Sequence, residues 1–168
     1  MQEITYKPIG VIHSPFADVE GMPIQPSAAS GIEGTVDFNP ELAPGLKDLE
    51  GFSHVILIYH FHLSKRHSLE VKPFLDDTRR GVFATRVPAR PNAIGLSVVR
   101  LTGVSGSILT IEDVDVVDGT PLLDIKPFVP DFDNREVQST GWFAKQVSRV
   151  TEVKADRRFA APQERKRG

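Results

Sequence analysis

The chain has 168 residues, a formal net charge of −2 and no cysteine. Its length is that of one ordinary domain, and the absence of cysteine excludes disulfides, thiolate metal sites, iron–sulfur clusters and a cysteine nucleophile. A slightly acidic chain also argues against non-specific coating of nucleic acid, because such binding depends on a net basic surface. A local basic patch is still compatible with this charge.

Neither a membrane segment nor a secretory signal is predicted. The most apolar run, VILIYHF at residues 55–61, is far shorter than the roughly 20 residues that cross a bilayer. The first residues, MQEITYKPIG, contain an acidic residue and lack the apolar core of a signal peptide. These patterns predict a cytoplasmic protein that is not bound to a membrane.

The apolar runs are short, rich in Val, Ile and Phe, and bounded by Gly, Pro, Asn or Asp, which is a strand pattern. A glycine-containing turn at Gly103–Ser107 predicts a tight hairpin. In chain order, the predicted strands are Pro8–His13, Ile32–Phe38, His54–His62, Gly81–Arg86, Ser97–Val104, Ser107–Val114 and Leu122–Lys126.

Helix signals are few. Ser139 or Thr140 is a candidate N-cap of a C-terminal helix running to about Val150. Because the strands do not alternate with long helices, a doubly wound α/β fold is excluded. The prediction is a mainly β protein, a small antiparallel β-barrel with short peripheral helices over residues 1–153, followed by a basic, mobile tail at 154–168. The long loops Gly21–Gly31 and Lys65–Arg80 are expected to be functional or disordered.

The segment GVFATRVPARPNAIGLSVVRL, residues 81–101, carries the first candidate site. Pro88 and Pro91 stiffen an extended loop that bears Arg90 and Asn92. Arginine presents a planar fork of donors that suits an anion or a polar ring edge. A surface loop with solvated arginines explains the same pattern equally well.

The segment VDGTPLLDIKPFVP, residues 117–130, carries the second candidate site. Asp118-Gly119 is a turn signal. Asp124 and Lys126 share one face of the following strand, and Leu123 and Ile125 share the other, which suits a polarised carboxylate. The alternative is a structural turn followed by an exposed salt bridge.

The strand SHVILIYHFH places His60 and His62 on one face, where alternate residues lie about 7 Å apart and one metal ion is within reach of both. A third ligand has no signature position. Histidines that line a pocket or an interface are the alternative, and no metal is assigned. The sequence also lacks G-x-G-x-x-G, P-loop and G-x-S-x-G motifs, so the usual nucleotide cradles and the serine-hydrolase elbow have no support.

Long specific strings then identify a resemblance. The strings FATR-x-P-x-RPN-x-IGLS and DGTP-x-LDIKP, with the shorter strings IGVIHSPF, GTVDFNPE and LKDLEGFSHVILIYHFH, occur in order up to about Asp133. They resemble the TsaA-like family of tRNA methyltransferase O enzymes. Val87 stands where many members have Ser. Longer members carry a further C-terminal domain, and the chain is expected to be a short form without it.

The resemblance implies a small antiparallel barrel that binds S-adenosylmethionine in a pocket near a homodimer interface. It also implies N6-methylation of threonylcarbamoyl-adenosine at position 37 of tRNA. The cofactor residues that it implies are Pro23, Ile24, Gln25, His62, Leu63, Arg86, Leu96, Asp118, Gly119, Thr120 and Pro121.

Roles in methyl transfer follow as hypotheses. Arg86 is expected to bind the methionine carboxylate, and Asp124 to accept the proton of N6, with Lys126 orienting it. The residues expected to contact tRNA are Arg79, Arg80, Arg90, Asn92 and Arg100, with the Lys65-Arg66 pair. The alternative function is an S-adenosylmethionine-binding module without tRNA methylation.

Overall fold

The computed structural model describes residues 2–146 and 149–160. Its strands are β1 (Gly10–His13), β2 (Glu33–Phe38), β3 (His54–His60), β4 (Glu70–Val71), β5 (Arg80–Gly81), β6 (Ile94–Ser105), β7 (Ile108–Glu112) and β8 (Thr120–Pro127). A four-residue helix, α1, spans Pro130–Asp133, and 3-10 helices span Pro26–Ala28, Pro40–Leu46, Leu49–Gly51, Val82–Ala84, Gly141–Lys145 and Arg157–Phe159.

Six strands close into an antiparallel barrel in the order β1-β2-β7-β6-β3-β8, and β8 pairs with β1 to complete it. The predicted fold class is therefore confirmed. The hairpin between β6 and β7 is also confirmed, because Ser105 pairs with Ile108 across a two-residue turn in which Gly106 has a φ of 61°. No helix within residues 2–146 and 149–160 has the length and apolarity to span a membrane.

The core fills the inside of the barrel, because alternate residues of each strand point inward. On β3 these inward residues are Val55, Leu57 and Tyr59. A β-bulge lies where β8 pairs with β3, since Ile58 pairs with Asp124 but Tyr59 pairs with Leu122. Leu122 is fully buried opposite Tyr59, and Leu123 is the extra residue of the bulge. Leu123 therefore does not lie on one face of the strand with Ile125, as the sequence had predicted.

Two predicted elements are wrong. The predicted strand Gly81–Arg86 pairs only at Arg80–Gly81 and then turns into the 3-10 helix Val82–Ala84, since Thr85 donates both its backbone N–H and its Oγ1–H to the Val82 carbonyl.

The predicted C-terminal helix is instead the 3-10 helix Gly141–Lys145, and residues 147–148 of the prediction lie outside the described residues. Thr140 gives no side-chain cap, and Gly141 has a φ of 58°, which is incompatible with an α-helical first turn. Of the predicted tail, Ala155 hydrogen-bonds to the loop after β1 and Arg158 donates to the carbonyls of Lys72 and Pro73, whereas 161–168 lie outside the described residues.

A second small apolar cluster lies beside the barrel and fixes the segment that follows β5. Val71, Val82, Val87 and Ala89 are buried together, and Phe159 packs on them. This cluster gives the proline-rich loop a defined position next to the end of the barrel.

Candidate functional site

A cavity of about 370 Å³ lies where β3 leaves the barrel and β6 enters it. Its volume falls within the range of about 300–1,000 Å³ that is typical of small-molecule sites. Most lining side chains are apolar or aromatic, and a few are polar. The lining comes from the loop after β1, the end of β3, the proline-rich loop, the start of β6, the segment before β8 and the C-terminal segment.

The proline-rich loop is held by its own arginine. Arg90 Nη1 donates to the carbonyl oxygens of Thr85 at 3.0 Å and Val87 at 3.3 Å, and Ser64 Oγ donates to the Pro88 carbonyl at 3.1 Å. Arg90 therefore shapes the loop with its guanidinium. Arg86, on the same loop, is exposed and lines the cavity.

Arg86 connects the proline-rich loop to the loop after β1. Its Nη1 donates to Gln25 Oε1 at 3.2 Å, and Pro23 and Ile24 line the same wall of the cavity. Because Gln25 is neutral, the positive charge of Arg86 is not cancelled by this contact. The structure thus offers an anion a guanidinium at the rim of a largely apolar cavity.

His62 and Thr120 form a second polar contact in the cavity wall. Thr120 Oγ1 donates its one proton to the Val117 carbonyl at 2.7 Å, so the 3.3 Å contact with His62 Nδ1 requires that His62 donates. Burial lowers the pKa of His62, and the nearby charges of His60 and Lys65 lower it further. His62 is therefore a neutral wall residue with Nε2 as an acceptor.

A chain of hydrogen bonds reaches the cavity from the barrel interior. Ser97 Oγ donates to Asp115 Oδ1 at 2.7 Å, so the 3.0 Å contact between Tyr59 and Ser97 has the Tyr59 hydroxyl as donor. Burial raises the pKa of Asp115 to about 6, against the opposing hydrogen bond from Ser97. Burial also raises the pKa of Tyr59 far above its usual range. Tyr59 and Asp115 both line the cavity.

The C-terminal segment supplies one wall of the cavity. Trp142 stacks on Phe143 with ring centroids 4.0 Å apart, and Trp142 Nε1 donates to the Ala84 carbonyl at 2.8 Å. Further along, Ala155 exchanges backbone hydrogen bonds with the loop after β1, donating to Met22 and accepting from Gly21 at 2.8 Å each. Both aromatic residues and Ala155 line the cavity.

The residues that build the barrel and this cavity match a known family. The family model described as the tRNA-methyltransferase O N-terminal domain matches residues 11–134, well over half of the chain. The chain belongs to this family. The predicted family is confirmed, together with S-adenosylmethionine as its cofactor and methyl transfer as its chemistry.

Three similar proteins illustrate the range of the family. A protein of Pyrococcus abyssi named "Probable S-adenosyl-L-methionine-binding protein" is 58% identical over 93% of this chain and 85% of its own length. The tRNA (adenine(37)-N6)-methyltransferase of Mus musculus is 41% identical over 76% of this chain and 31% of its own. The crystal structure of TrmO from Pseudomonas aeruginosa superposes with a TM-score of 0.71 at 38% identity, covering 84% of this chain and 63% of that one. The chain therefore spans less than two thirds of the TrmO crystal structure and about a third of the mouse enzyme.

Most residues that the resemblance implied for the cofactor come together in the cavity. Three residues of the D-G-T-P turn do not line it: Asp118, Gly119 and Pro121. Asp118 instead contacts His13, with Oδ1 2.9 Å from Nδ1, and this hydrogen bond lowers the pKa of Asp118. The implied cofactor residues that do line the cavity are Pro23, Ile24, Gln25, His62, Leu63, Arg86, Leu96 and Thr120.

Asp124 and Lys126 lie together, outside the cavity lining. Lys126 Nζ is 2.7 Å from Asp124 Oδ2 on the outer face of β8, and both side chains are about half exposed. Asp124 pairs with Ile58, which pairs with Leu96 on the other side. Two strand spacings separate Asp124 from Leu96, a distance of about 10 Å. The predicted pair is thus near the rim of the cavity.

The arginines predicted to contact tRNA are dispersed. Arg80 makes two hydrogen bonds to Asp76 and lies 5.6 Å from the Trp142 ring, whereas Arg100 pairs with Glu112 at 3.5 Å on the barrel. Arg100 is six residues along β6 from Ile94, about 20 Å away. Asn92 is exposed outside the cavity lining.

Arg79 instead lies in a second, basic groove of about 390 Å³. This groove shares Phe159 and Ala160 with the cavity. Its basic residues are Lys65, Arg66, His67, Lys72, Arg79 and Arg158.

The structure places no third ligand, among the residues it describes, beside the metal site considered at His60 and His62. Within residues 2–146 and 149–160, no group of three His, Asp or Glu side chains is placed to hold a metal ion. His62 uses Nδ1 toward Thr120.

Several residues in the cavity lining, or directly behind it, were missed by sequence reasoning. Tyr59 and Ser97 occupy inward positions of β3 and β6, where an apolar side chain is the norm, so a polar residue there was the available signal. Asp115 lies three residues before Asp118 among valines, which indicates a carboxylate in apolar surroundings. Trp142 and Phe143 lie beyond the matched family segment and had no signal at all.

Proposed function

We propose that this chain binds S-adenosylmethionine in the cavity and transfers its methyl group to N6 of adenosine 37 in tRNA, with threonylcarbamoyl-adenosine as the acceptor. The observation that carries this proposal is the meeting of Arg86, Gln25, His62 and Thr120 around one apolar cavity. The names of the relatives support the cofactor and the tRNA substrate.

The cavity fits such a donor in size and chemistry. The carboxylate of the methionine moiety would pair with the Arg86 guanidinium, which has no acidic partner within 4 Å among the described residues. The neutral ring of His62 and the backbone groups near Leu63 and Leu96 would frame the adenosine. When bound, the donor supplies an activated methyl group for in-line displacement. The protein contributes positioning, which is worth several kcal/mol.

The acceptor side would lie near Leu96. N6 of the proposed substrate carries a carbonyl group, so its lone pair is delocalised and proton removal helps the attack. Asp124, about 10 Å from Leu96 on the rim, is proposed to accept this proton, and the 2.7 Å ion pair keeps Lys126 beside it. Full turnover by Asp124→Asn with unchanged cofactor affinity would remove this role.

The basic groove is proposed to bind the phosphates of the tRNA. It adjoins the cavity through Phe159 and Ala160, so a strand held there would place a splayed base near the cavity. Affinity for an anticodon stem-loop is expected to fall steeply with salt. Lys65→Glu with Arg66→Glu should weaken binding strongly. Arg100→Glu tests the separate contact predicted for Arg100 on the barrel.

Calorimetric titration with S-adenosylmethionine tests the cofactor half of the proposal. The wild type should show saturable binding, Arg86→Ala should abolish it, and Arg100→Ala should preserve it because Arg100 is remote from the cavity. A methylation assay on tRNA from cells that lack the modification tests the other half. The absence of wild-type binding would overturn the proposed cofactor site.

A second candidate is a binding protein that holds S-adenosylmethionine without methylating tRNA. The Pyrococcus abyssi relative favours it, since that protein matches over 85% of its length and is named only for binding. Saturable cofactor binding without incorporation of methyl groups into tRNA would select this candidate.

A cytoplasmic homodimer with the cavity near its interface is also proposed. Exposed apolar side chains close to the cavity support it: Phe83 is 75% exposed, Leu96 51% and Ile94 40%. Such patches are typical of surfaces that a partner covers. Light scattering should give twice the chain mass, and Phe83→Asp should shift it toward the monomer.

A further inference from the structure

The cavity contains two carboxylates that the cofactor residues implied by the family do not include, Asp115 and Asp156. Asp115 lies in the valine-rich segment before β8 and lines the cavity beside Gly95 and Val116. It has no cationic side chain within 4 Å among the described residues. A carboxylate this deeply placed normally has a cation or several donors.

Two other charged side chains that line the cavity, Asp156 and Arg90, already have strong hydrogen-bond partners. Asp156 accepts hydrogen bonds from Arg158 and caps the 3-10 helix that follows it. Arg90 donates to two carbonyl oxygens of its own loop. Arg86 and Asp115 are therefore the lining residues in the described chain whose side-chain hydrogen bonds go only to neutral partners, Gln25 and Ser97. The charge of Arg86 is near enough to lower the pKa of Asp115, although no ion pair joins the two side chains.

The orientation of Asp115 is fixed from behind. Ser97 donates to Oδ1 at 2.7 Å, and Tyr59 donates to Ser97 at 3.0 Å. Both donors come from inward positions of the barrel, so they hold one carboxylate oxygen without neutralising the charge. The Ser97 hydrogen bond fixes the orientation of the carboxylate, and it only partly offsets the burial that disfavours the ionised form. A cation in the cavity would supply the missing stabilisation.

We infer that Asp115 is the anionic partner of a cationic group of the donor, with Ser97 and Tyr59 as the residues that position it. The inference rests on the proposed binding of S-adenosylmethionine. That molecule carries one carboxylate and two positive charges, the α-ammonium and the sulfonium. Arg86 and Asp115 supply the two charges that such a ligand requires. Asp115 thereby serves donor binding. If its partner is the sulfonium, loss of that charge on methyl transfer also lets Asp115 distinguish donor from product.

Calorimetric titrations of Asp115→Asn with three ligands test the inference. The ligands are S-adenosylmethionine, S-adenosylhomocysteine, whose sulfur is neutral, and 5′-methylthioadenosine, which has neither charged group. We expect Asp115→Asn to weaken S-adenosylmethionine binding on the order of tenfold or more and to leave 5′-methylthioadenosine binding unchanged. S-adenosylhomocysteine binding will stay unchanged if the sulfonium is the partner, and will weaken in parallel if the ammonium is.

Asp37→Asn, an exposed aspartate on β2 outside the cavity lining, is the matched control and should bind all three ligands as the wild type does. Ser97→Ala should give a smaller loss for S-adenosylmethionine, because it releases the carboxylate without removing it.

A pH series between about 5 and 7 adds a second readout, below the usual range of an α-amino group. The wild-type advantage over Asp115→Asn should shrink as pH falls and the carboxylate is protonated. Arg86, Arg90, His62, Tyr59 and Asp156 also line the cavity, but they are common to both proteins and cancel in this comparison.

Equal affinity of wild type and Asp115→Asn for S-adenosylmethionine would overturn the inference and leave the proposed function intact. Equal losses for all three ligands would also overturn it, since they would indicate a damaged cavity. Failure of the wild type to bind S-adenosylmethionine at all would overturn both proposals.

Discussion

Gly95 lies directly opposite Tyr59 in the ladder between β3 and β6, and the ring of Tyr59 covers it so closely that a Cβ at position 95 would overlap the ring carbons. Glycine is therefore required here by the space that the tyrosine ring occupies. The ring in turn carries the hydroxyl that donates to Ser97 and so supports the Asp115 carboxylate in the cavity.

Gly95→Ala is expected to destabilise the fold, because the Tyr59 ring must move and its buried hydroxyl must leave Ser97. Overpacking of this kind costs about 1–3 kcal/mol. Denaturant unfolding measures the loss, and Gly45→Ala is the control because a Cβ there meets nothing within 4 Å. Equal stability of the two variants would contradict the close packing of Gly95 and Tyr59.

Asp115 predicts a specific dependence of stability on pH. Burial raises the pKa of Asp115 in the folded protein to about 6, above the ordinary value of 3.8 for an aspartate. Between these values the folded state retains a proton that the unfolded state has lost, so this group's contribution to stability falls as pH rises and is fully unfavourable above about 6. Asp115→Asn lacks this contribution while keeping an oxygen that accepts from Ser97.

The free energy of unfolding of Asp115→Asn minus that of the wild type should therefore increase from about pH 4 to about pH 7. Urea unfolding at a series of pH values measures it. Carboxyls with lowered pKa values, such as Asp76 and Asp156, give the opposite slope, but they are common to both proteins and cancel. A difference that does not vary with pH would show that Asp115 titrates normally.

Loss of the Arg90 side chain is expected to lower the stability of the fold and, as a consequence, to weaken ligand binding. Arg90→Ala removes the donors to the Thr85 and Val87 carbonyls and should cost about 1–3 kcal/mol of stability. It should also weaken binding of S-adenosylmethionine, because the loop that carries Arg86 loses its support. Arg100→Ala, which breaks a 3.5 Å pair between the exposed Arg100 and Glu112, should cost at most about 1 kcal/mol. Similar stabilities of the two variants would mean that Arg90 does not brace the loop.

Trp142 is the single tryptophan of the chain and lines the cavity, so its fluorescence reports on ligand binding. Addition of S-adenosylmethionine should shift or quench the emission in a saturable way, with the same midpoint as calorimetry. Trp142→Phe should lose the signal while retaining most of the affinity, because the ring that stacks on Phe143 is kept. An unchanged emission at saturating ligand would place the ligand away from this wall.

The sequence was sufficient for the barrel and for one side of the cavity. Alternation of apolar residues predicted the strands, because this signal is local. The family resemblance carried by the proline-rich and D-G-T-P strings pointed to Arg86 and Thr120. The bulge at Leu123 was missed because pairing with β3 sets it. The turn at Val82–Ala84 was missed because the hydrogen bonds from Thr85 to the Val82 carbonyl are not encoded in the apolar pattern.

The carboxylate in the cavity was missed for a related reason. Asp124 and Asp115 look alike in sequence, each flanked by apolar residues, and only the closure of the barrel decides which one faces the cavity. The hydrogen bond from Tyr59 to Ser97 joins residues that are 38 positions apart in the sequence, and the one from Ser97 to Asp115 joins residues that are 18 apart. Such a path is a property of strand order and register, which one sequence does not contain.

The C-terminal wall of the cavity lies outside the segment that this chain shares with its family. The segment shared with the family ends at residue 134, but six of the later residues that the structure describes line the cavity: Trp142, Phe143, Ala155, Asp156, Phe159 and Ala160. The backbone of Ala155 also hydrogen-bonds to the loop after β1. The family segment and the set of residues that encloses the cavity therefore have different boundaries in this chain. A version of the protein that ends at residue 134 would keep every described barrel strand. It would lose one side of the cavity in which methyl transfer is proposed to occur.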